Sequence, residues 1–183
     1  VVKVPDTRLA ALAELFRPQK VTPAEVRYVD VAGLMQGMGS DSQATQLLGQ
    51  LRNSDALLIV ARGFMNEAVA HPLGSVDPER DLEVLATELL LSDLAVAEKR
   101  LERLEKEGRS NKGSEVEQQQ RAREFAALRA IQAALADGKP VRSVALDDAD
   151  QKALRGYGFL TQKPWLILLN TDDGGADPQL IER

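Results

Sequence analysis

The 183-residue sequence predicts an α/β fold, a mostly parallel sheet interrupted by an inserted antiparallel helical hairpin. Three observations carry this expectation. Residues 56–61 (ALLIVA) and 165–169 (WLILL) are short continuous apolar runs bounded by polar residues, the pattern of strands covered on both faces. Between them, apolar positions step by threes and fours through residues 78–107 and again through 114–136. A polar break at 108–113 (GRSNKG) separates these helical stretches, so the second folds back along the first.

Taken in order, residues 7–16 predict a helix, with Leu9, Leu12, Leu15 and Phe16 at helical spacing and Pro18 closing it. Residues 25–31 (EVRYVDV) alternate like a strand and end in a glycine-rich stretch. Residues 43–52 suit a crossover helix with Leu47, Leu48 and Leu51 on one face. Asp77 before Pro78 is a helix start: proline fits the first helical position, and Glu79 and Asp81 sit where the helix dipole favours acids. From there Leu82, Leu85, Leu89, Leu90, Leu94, Ala97, Leu101 and Leu104 form the seam of a helix about 45 Å long. The returning helix has Phe125, Leu128, Ile131 and Leu135 as its seam, and Asp137, Gly138, Lys139 and Pro140 end it. The expected division is residues 1–76 and 141–183 in the sheet domain, with 77–140 as the hairpin.

Composition narrows the function. Hydrophobic residues at 44% and charged residues at 28% describe a folded protein, not a disordered one. The absence of cysteine removes disulfides, thiolate metal sites and cysteine nucleophiles. With a single histidine, His71 reads as structural and not as a metal ligand. The net charge of −5 argues against bulk attraction to nucleic acid, and 4% aromatics leave little for base stacking. Residues 98–124 carry eight basic and seven acidic side chains, the balance of a solvated helical face with pairs such as Glu102 and Lys106. No apolar run approaches the roughly 20 residues of a membrane span, and no signal peptide is visible, so a cytoplasmic protein is expected. The sequence begins at Val1, which suggests processing or a piece of a longer protein.

Two strand ends carry candidate chemistry. Residues 25–31 lead into Asp30-Val31-Ala32-Gly33. An aspartate at a strand's carboxyl end can hold Mg²⁺ through water, and a glycine three residues on lets its N–H approach a γ-phosphate. The run 165–169 leads into Asn170-Thr171-Asp172-Asp173. There an amide can meet a purine's N7 or exocyclic group while the carboxylate accepts from ring N–H donors. Taken alone, each stretch reads first as an ordinary polar turn. No G-x-x-x-x-G-K-S/T phosphate loop occurs in these residues, and Gly138-Lys139 is followed by proline.

Together the segments resemble the YchF / Obg-like ATPase family of P-loop nucleotide hydrolases. Val2 to Leu9 (VKVPDTRL) is similar to the family's V-x-V-P-D-x-R-L, and Tyr28 to Leu34 (YVDVAGL) to its D-I/V-A-G-L motif. Arg52 to Phe64 resembles the next strand with its trailing R-x-F; Val76 to Glu83, then Thr87-Glu88-Leu89, the opening of its coiled-coil insertion. Gly138-Lys139-Pro140 and Leu160 to Pro164 resemble the return to the nucleotide domain, and Asn170 to Asp173 falls at its N-x-x-E base-reading motif.

The resemblance implies a TRAFAC-type hydrolase with a helical arm that binds ATP as well as or better than GTP, uses Mg²⁺ and associates with ribosomes. Asp30 would serve the metal, Gly33 the γ-phosphate, and Asn170 and Asp173 the base. Leu34 matches the hydrophobic residue the family places where Ras-like proteins have a catalytic glutamine. The family's phosphate loop and first switch would precede Val1, and its C-terminal TGS-type domain would follow Arg183. Ser40 to Ala44 departs from the family's glycine-rich run after Gly39; Thr171 and Asp173 replace its usual aliphatic residue and glutamate. Membrane and sequence-specific DNA are not expected partners. The competing reading is a non-catalytic interaction module that works through the hairpin on a degenerate nucleotide fold; a fragment without function of its own is a third.

Overall fold

The computed structural model describes residues 1–31, 42–108, 114–173 and 175. They divide into two compact units, residues 1–33 and 34–183.

In the first unit, β1 (Val2–Lys3) pairs antiparallel with β2 (Glu25–Val26), Val2 opposite Val26 and Lys3 opposite Glu25. Between them runs α1 (Thr7–Phe16). Asp6 caps it: its carboxylate accepts from the Arg8 N–H at 3.0 Å, while the Arg8 guanidinium donates back to both carboxylate oxygens. Arg17 closes the helix in the left-handed conformation (φ 42°), its N–H bonded to the Ala13 carbonyl, and Pro18 follows. The strand expected over 25–31 is therefore shorter, and antiparallel. The antiparallel ladder runs from Val2 opposite Val26 to the bond from the Val4 N–H to the Ala24 carbonyl. Residues 27–31 lie beyond that register, and Tyr28 and Val29 are exposed.

In the second unit, α2 (Ser42–Arg52) leads into β3 (Leu57–Arg62), which pairs in parallel with β4 (Trp165–Asn170). Leu57 lies opposite Trp165 and Arg62 opposite Asn170. Between the strands come α3 (Pro78–Gly108), α4 (Glu115–Ala136), a 3-10 turn at Val141–Ser143, α5 (Asp148–Leu154), and 3-10 turns at Arg155–Tyr157 and Leu160–Gln162. The long helices bury one stripe each: Leu89, Asp93, Ala97, Leu101 and Leu104 on α3, Ala127, Leu128, Ile131 and Leu135 on α4. Val141, Leu154 and Phe159 from the returning chain complete that core. A second cluster of Leu57, Leu89 and Leu160 joins α3 to β3. Ser114 and Glu117 form a reciprocal capping box that starts α4.

The sheet departs from expectation in one respect. Leu57 and Ala61 face the core, but Leu58, Val60, Leu166 and Leu168, all on the opposite side of the paired strands, are 44% to 67% exposed. The runs are continuous because both faces are apolar, and within the described residues one is covered in part: Leu57 and Ala61 are buried, while Ile167 on that same face is 53% exposed.

Candidate functional site

The carboxyl ends of β3 and β4 form the candidate site. Parallel pairing sets Asn170 beside Arg62, and the next amide, Gly63 N–H, donates to the Asn170 carbonyl at 2.7 Å. A Cβ at position 63 would lie 2.9 Å from the Leu169 side chain and 3.3 Å from the Asn170 carbonyl, so glycine permits the close approach. Arg62 then turns its guanidinium onto the loop that follows, donating to the carbonyls of Phe64, Asn66 and Val69 at 3.0 to 3.2 Å and lying 4.9 Å over the Phe64 ring. One cation thus shapes the loop that follows β3.

Asn170 is the last residue of β4 and is exposed; Asp173 lies in the turn just after it. The two residues expected to read a base, an amide able to donate and accept and a carboxylate able only to accept, thus lie three positions apart at the end of β4. Asp30 belongs to the first unit, four residues past β2, and is exposed. Gly33 and Leu34 lie outside the described residues. Among the described residues no cluster of three histidine or acidic side chains could cage a metal. A lone carboxylate such as Asp30 still suits Mg²⁺, which is commonly held by one or two carboxylates together with substrate phosphates.

His71 is held, not open. Its Nδ1 accepts from the Leu73 N–H at 3.2 Å, which leaves the ring proton on Nε2, 3.0 Å from the Asp81 carboxylate. Arg80 grips the other oxygen of Asp81 and ties it to Ser75, fastening the loop before α3 to that helix's first turn. The structural reading of His71 accords with this geometry.

Sequence reasoning missed the polar hub at the strands' other end. Asp93 is fully buried on α3, and its carboxylate accepts from Arg52 Nη1 at 2.8 Å, Leu160 N–H at 3.0 Å, and the N–H and hydroxyl of Thr161 at 2.8 Å each. Thr161 Oγ1 in turn accepts from the Val141 N–H at 3.0 Å. Lys163, its ammonium pKa lowered by burial, donates to the carbonyls of Arg52 and Ser54. Arg142 covers the Trp165 ring at 4.5 Å. The signal was present: Asp93 sits four residues after Leu89 and four before Ala97, on the buried stripe itself, where an acid requires partners.

A second cluster joins α3, α4 and the returning chain. Arg100 donates to both oxygens of Glu124 at 2.9 Å and to the Tyr157 hydroxyl, and that hydroxyl donates to Glu124. Burial and the adjoining carboxylate push the Tyr157 phenol up to about 12. Burial alone would raise Glu124, but hydrogen bonds from Arg100 and Tyr157 hold it below its ordinary value.

No family model matches the chain. It is similar, however, to the "Ribosome-binding ATPase YchF" of Haemophilus ducreyi, 37% identical over 175 residues, which are 94% of this chain and 46% of that protein. The protein of the same name from Bacillus subtilis is 34% identical over 180 residues, 97% of this chain and 48% of that protein. The "Obg-like ATPase homolog" of Saccharomyces cerevisiae is 35% identical over 174 residues, 92% of this chain and 42% of that protein. Among solved structures, the YchF GTPase of Schizosaccharomyces pombe matches with a TM-score of 0.72 and 29% identity, covering 94% of this chain and 46% of that one. The chain spans about half the length of the curated relatives it matches. Identity spread along nearly the whole chain, with the same fold in a solved relative, places it in the YchF / Obg-like ATPase family, as a central portion of its members.

Proposed function

We propose that this chain is the central part of a nucleotide-binding protein of YchF type, in which Asn170 and Asp173 read the base of ATP or GTP. The observation that carries the reading is the Asn170–Asp173 turn at the carboxyl end of a parallel strand pair, where α/β sheets bind ligands. On this reading residues 1–76 and 141–183 belong to the nucleotide domain, and 77–140 form a helical hairpin inserted in it. Asp30 would hold Mg²⁺ through water and Gly33 would meet the γ-phosphate. When bound, Mg²⁺ neutralises charge on the phosphates. Leu34 carries no side-chain amide, so any attacking water would have to be oriented by other groups.

The relatives named as ribosome-binding ATPases support a ribosomal partner and a cytoplasmic location. No helix among the described residues is long and apolar enough to cross a membrane. The second reading is a non-catalytic module working through its hairpin; the absence of G-x-x-x-x-G-K-S/T from these 183 residues fits both readings, since the family's loop would precede Val1.

Coding sequence upstream of Val1 separates the two readings. A strand followed by G-x-x-x-x-G-K-S/T supports the hydrolase, and its absence supports the module. Base choice is tested by competition between ATP and GTP in the protein that includes any such sequence. Thr171 removes the lysine of guanine-selective N-K-x-D sites, so ATP should bind at least as well as GTP. Asp173 restores a guanine reader's reach, so discrimination should be weak. A GTP preference of about a hundredfold or more, lost in Asp173→Ala, would overturn the assignment to ATP.

A further inference from the structure

Both strands of the β3–β4 pair run in the same direction, so whatever fixes their stagger at the leading end also fixes the far end. The first bond of the ladder is the Leu57 N–H to the Pro164 carbonyl at 3.0 Å. Just upstream, Lys163 reaches from the β4 side to the carbonyls of Arg52 and Ser54 on the β3 side. The Asp93 carboxylate spans the same gap from α3, taking Arg52 on one side and Leu160 and Thr161 on the other. Arg52 also donates to the Gly158 carbonyl and to Ser92, which locks the end of α2 to both α3 and the returning chain.

We infer that Asp93 is a positioning residue: one buried carboxylate on α3 holds the lead-ins of β3 and β4 and thereby sets the register that places Asn170 beside Arg62 and Gly63. A two-stranded parallel ladder specifies its own register weakly. A slip of one residue would move Asn170 about 3.3 Å along the strand and turn its side chain to the other face. The chemistry at Asp93 is one-sided. All four groups that meet it are donors, because the Thr161 oxygen is already accepting from Val141 and aims its hydrogen at the carboxylate. Asparagine would fill the same volume but turn an NH₂ toward two of those donors. A residue that merely filled space would tolerate the change; an acceptor cannot. What the strand ends do with a base rests on the function proposed above, but the linkage itself does not.

The test is amide hydrogen exchange on the full 183-residue chain, with Trp165, its single tryptophan, as an optical reporter at the start of β4. In Asp93→Asn, amides of Leu57–Arg62 and Trp165–Asn170 should exchange ~10-fold faster or more, while those of residues 126–135 in α4 change less than about twofold. The near-UV signal of Trp165 should fall while far-UV helix is kept. Unchanged strand exchange would overturn the inference, and so would acceleration of α4 equal to that of the strands. Should Asp93→Asn fail to fold, Arg52→Gln, which removes one donor and keeps the carboxylate, should show the same strand-confined pattern; a uniform change would overturn the inference. Because exchange needs no nucleotide, a failure of nucleotide binding beside the expected exchange pattern counts against the base-reading assignment alone.

Discussion

Tyr157 and Glu124 make a local prediction with opposite signs at the two ends of the pH scale. The phenol is raised above its ordinary value, so its contribution to stability is full below about pH 10 and is lost as pH rises through about 12. Glu124 is lowered, so its contribution is present above its ordinary value near 4.5 and is lost as pH falls through the lower value it has in the fold. Alkaline absorbance titration should show the Tyr157 phenolate forming near pH 12, and Glu124→Gln should bring it back toward 10. Gly158 is the other sensitive residue. Its φ is 58°, and a Cβ added there would lie 2.8 Å from the Arg52 carbonyl oxygen. Gly158→Ala must therefore move backbone, at a cost of about 1–3 kcal/mol by chemical denaturation. The tyrosine triad was not legible in the sequence, since Arg100, Glu124 and Tyr157 lie on three elements whose mutual placement no local pattern records. Asp93 was legible in principle, as the one charged residue on the buried stripe of α3.

Among the helices and strands, α4 depends on its first turn and on its seam. Ser114→Ala removes the capping-box acceptor and should cost about 1 kcal/mol, while Leu128→Ala, at a fully buried seam position, should cost about 2–5 kcal/mol. Urea unfolding of both variants checks the ranking; equal effects would mean the seam is less closely packed than its burial indicates. The long helices were readable because their apolar positions repeat many times and their ends carry Asp77-Pro78 and Asp137-Gly138. The strands at Leu57–Arg62 and Trp165–Asn170 were readable as uninterrupted apolar runs. Residues 25–31 misled because alternation shows that a segment can be a strand, whereas its length depends on the partner's register. The seven residues of α5 and the 3-10 turns beside it are too short to show a period, and packing against α4 shapes them: Arg123 binds both Asp147 and Asp150 at the start of α5.

For the chain as a unit, the fold class was legible because a strand, two long helices and another strand leave few arrangements. The turn proposed to read a base could be singled out only beside the other motifs, since Asn and Asp in a polar turn have no specificity alone. The exposure of Leu58, Val60, Leu166 and Leu168 was not legible, because composition does not say which apolar face is covered. The 183-residue chain should not hydrolyse ATP or GTP above background, since it has no G-x-x-x-x-G-K-S/T loop to cradle phosphates. Turnover abolished by Asp30→Ala would contradict this. Whether the carboxyl ends of β3 and β4 read a nucleotide base is best tested by titrating ATP into the chain and following its backbone amides by NMR. Weak but saturable shifts are expected at Gly63, Asn170 and Asp173, and they should vanish in Asn170→Ala. Silence at those amides, or identical shifts in Asn170→Ala, would contradict the base-reading role.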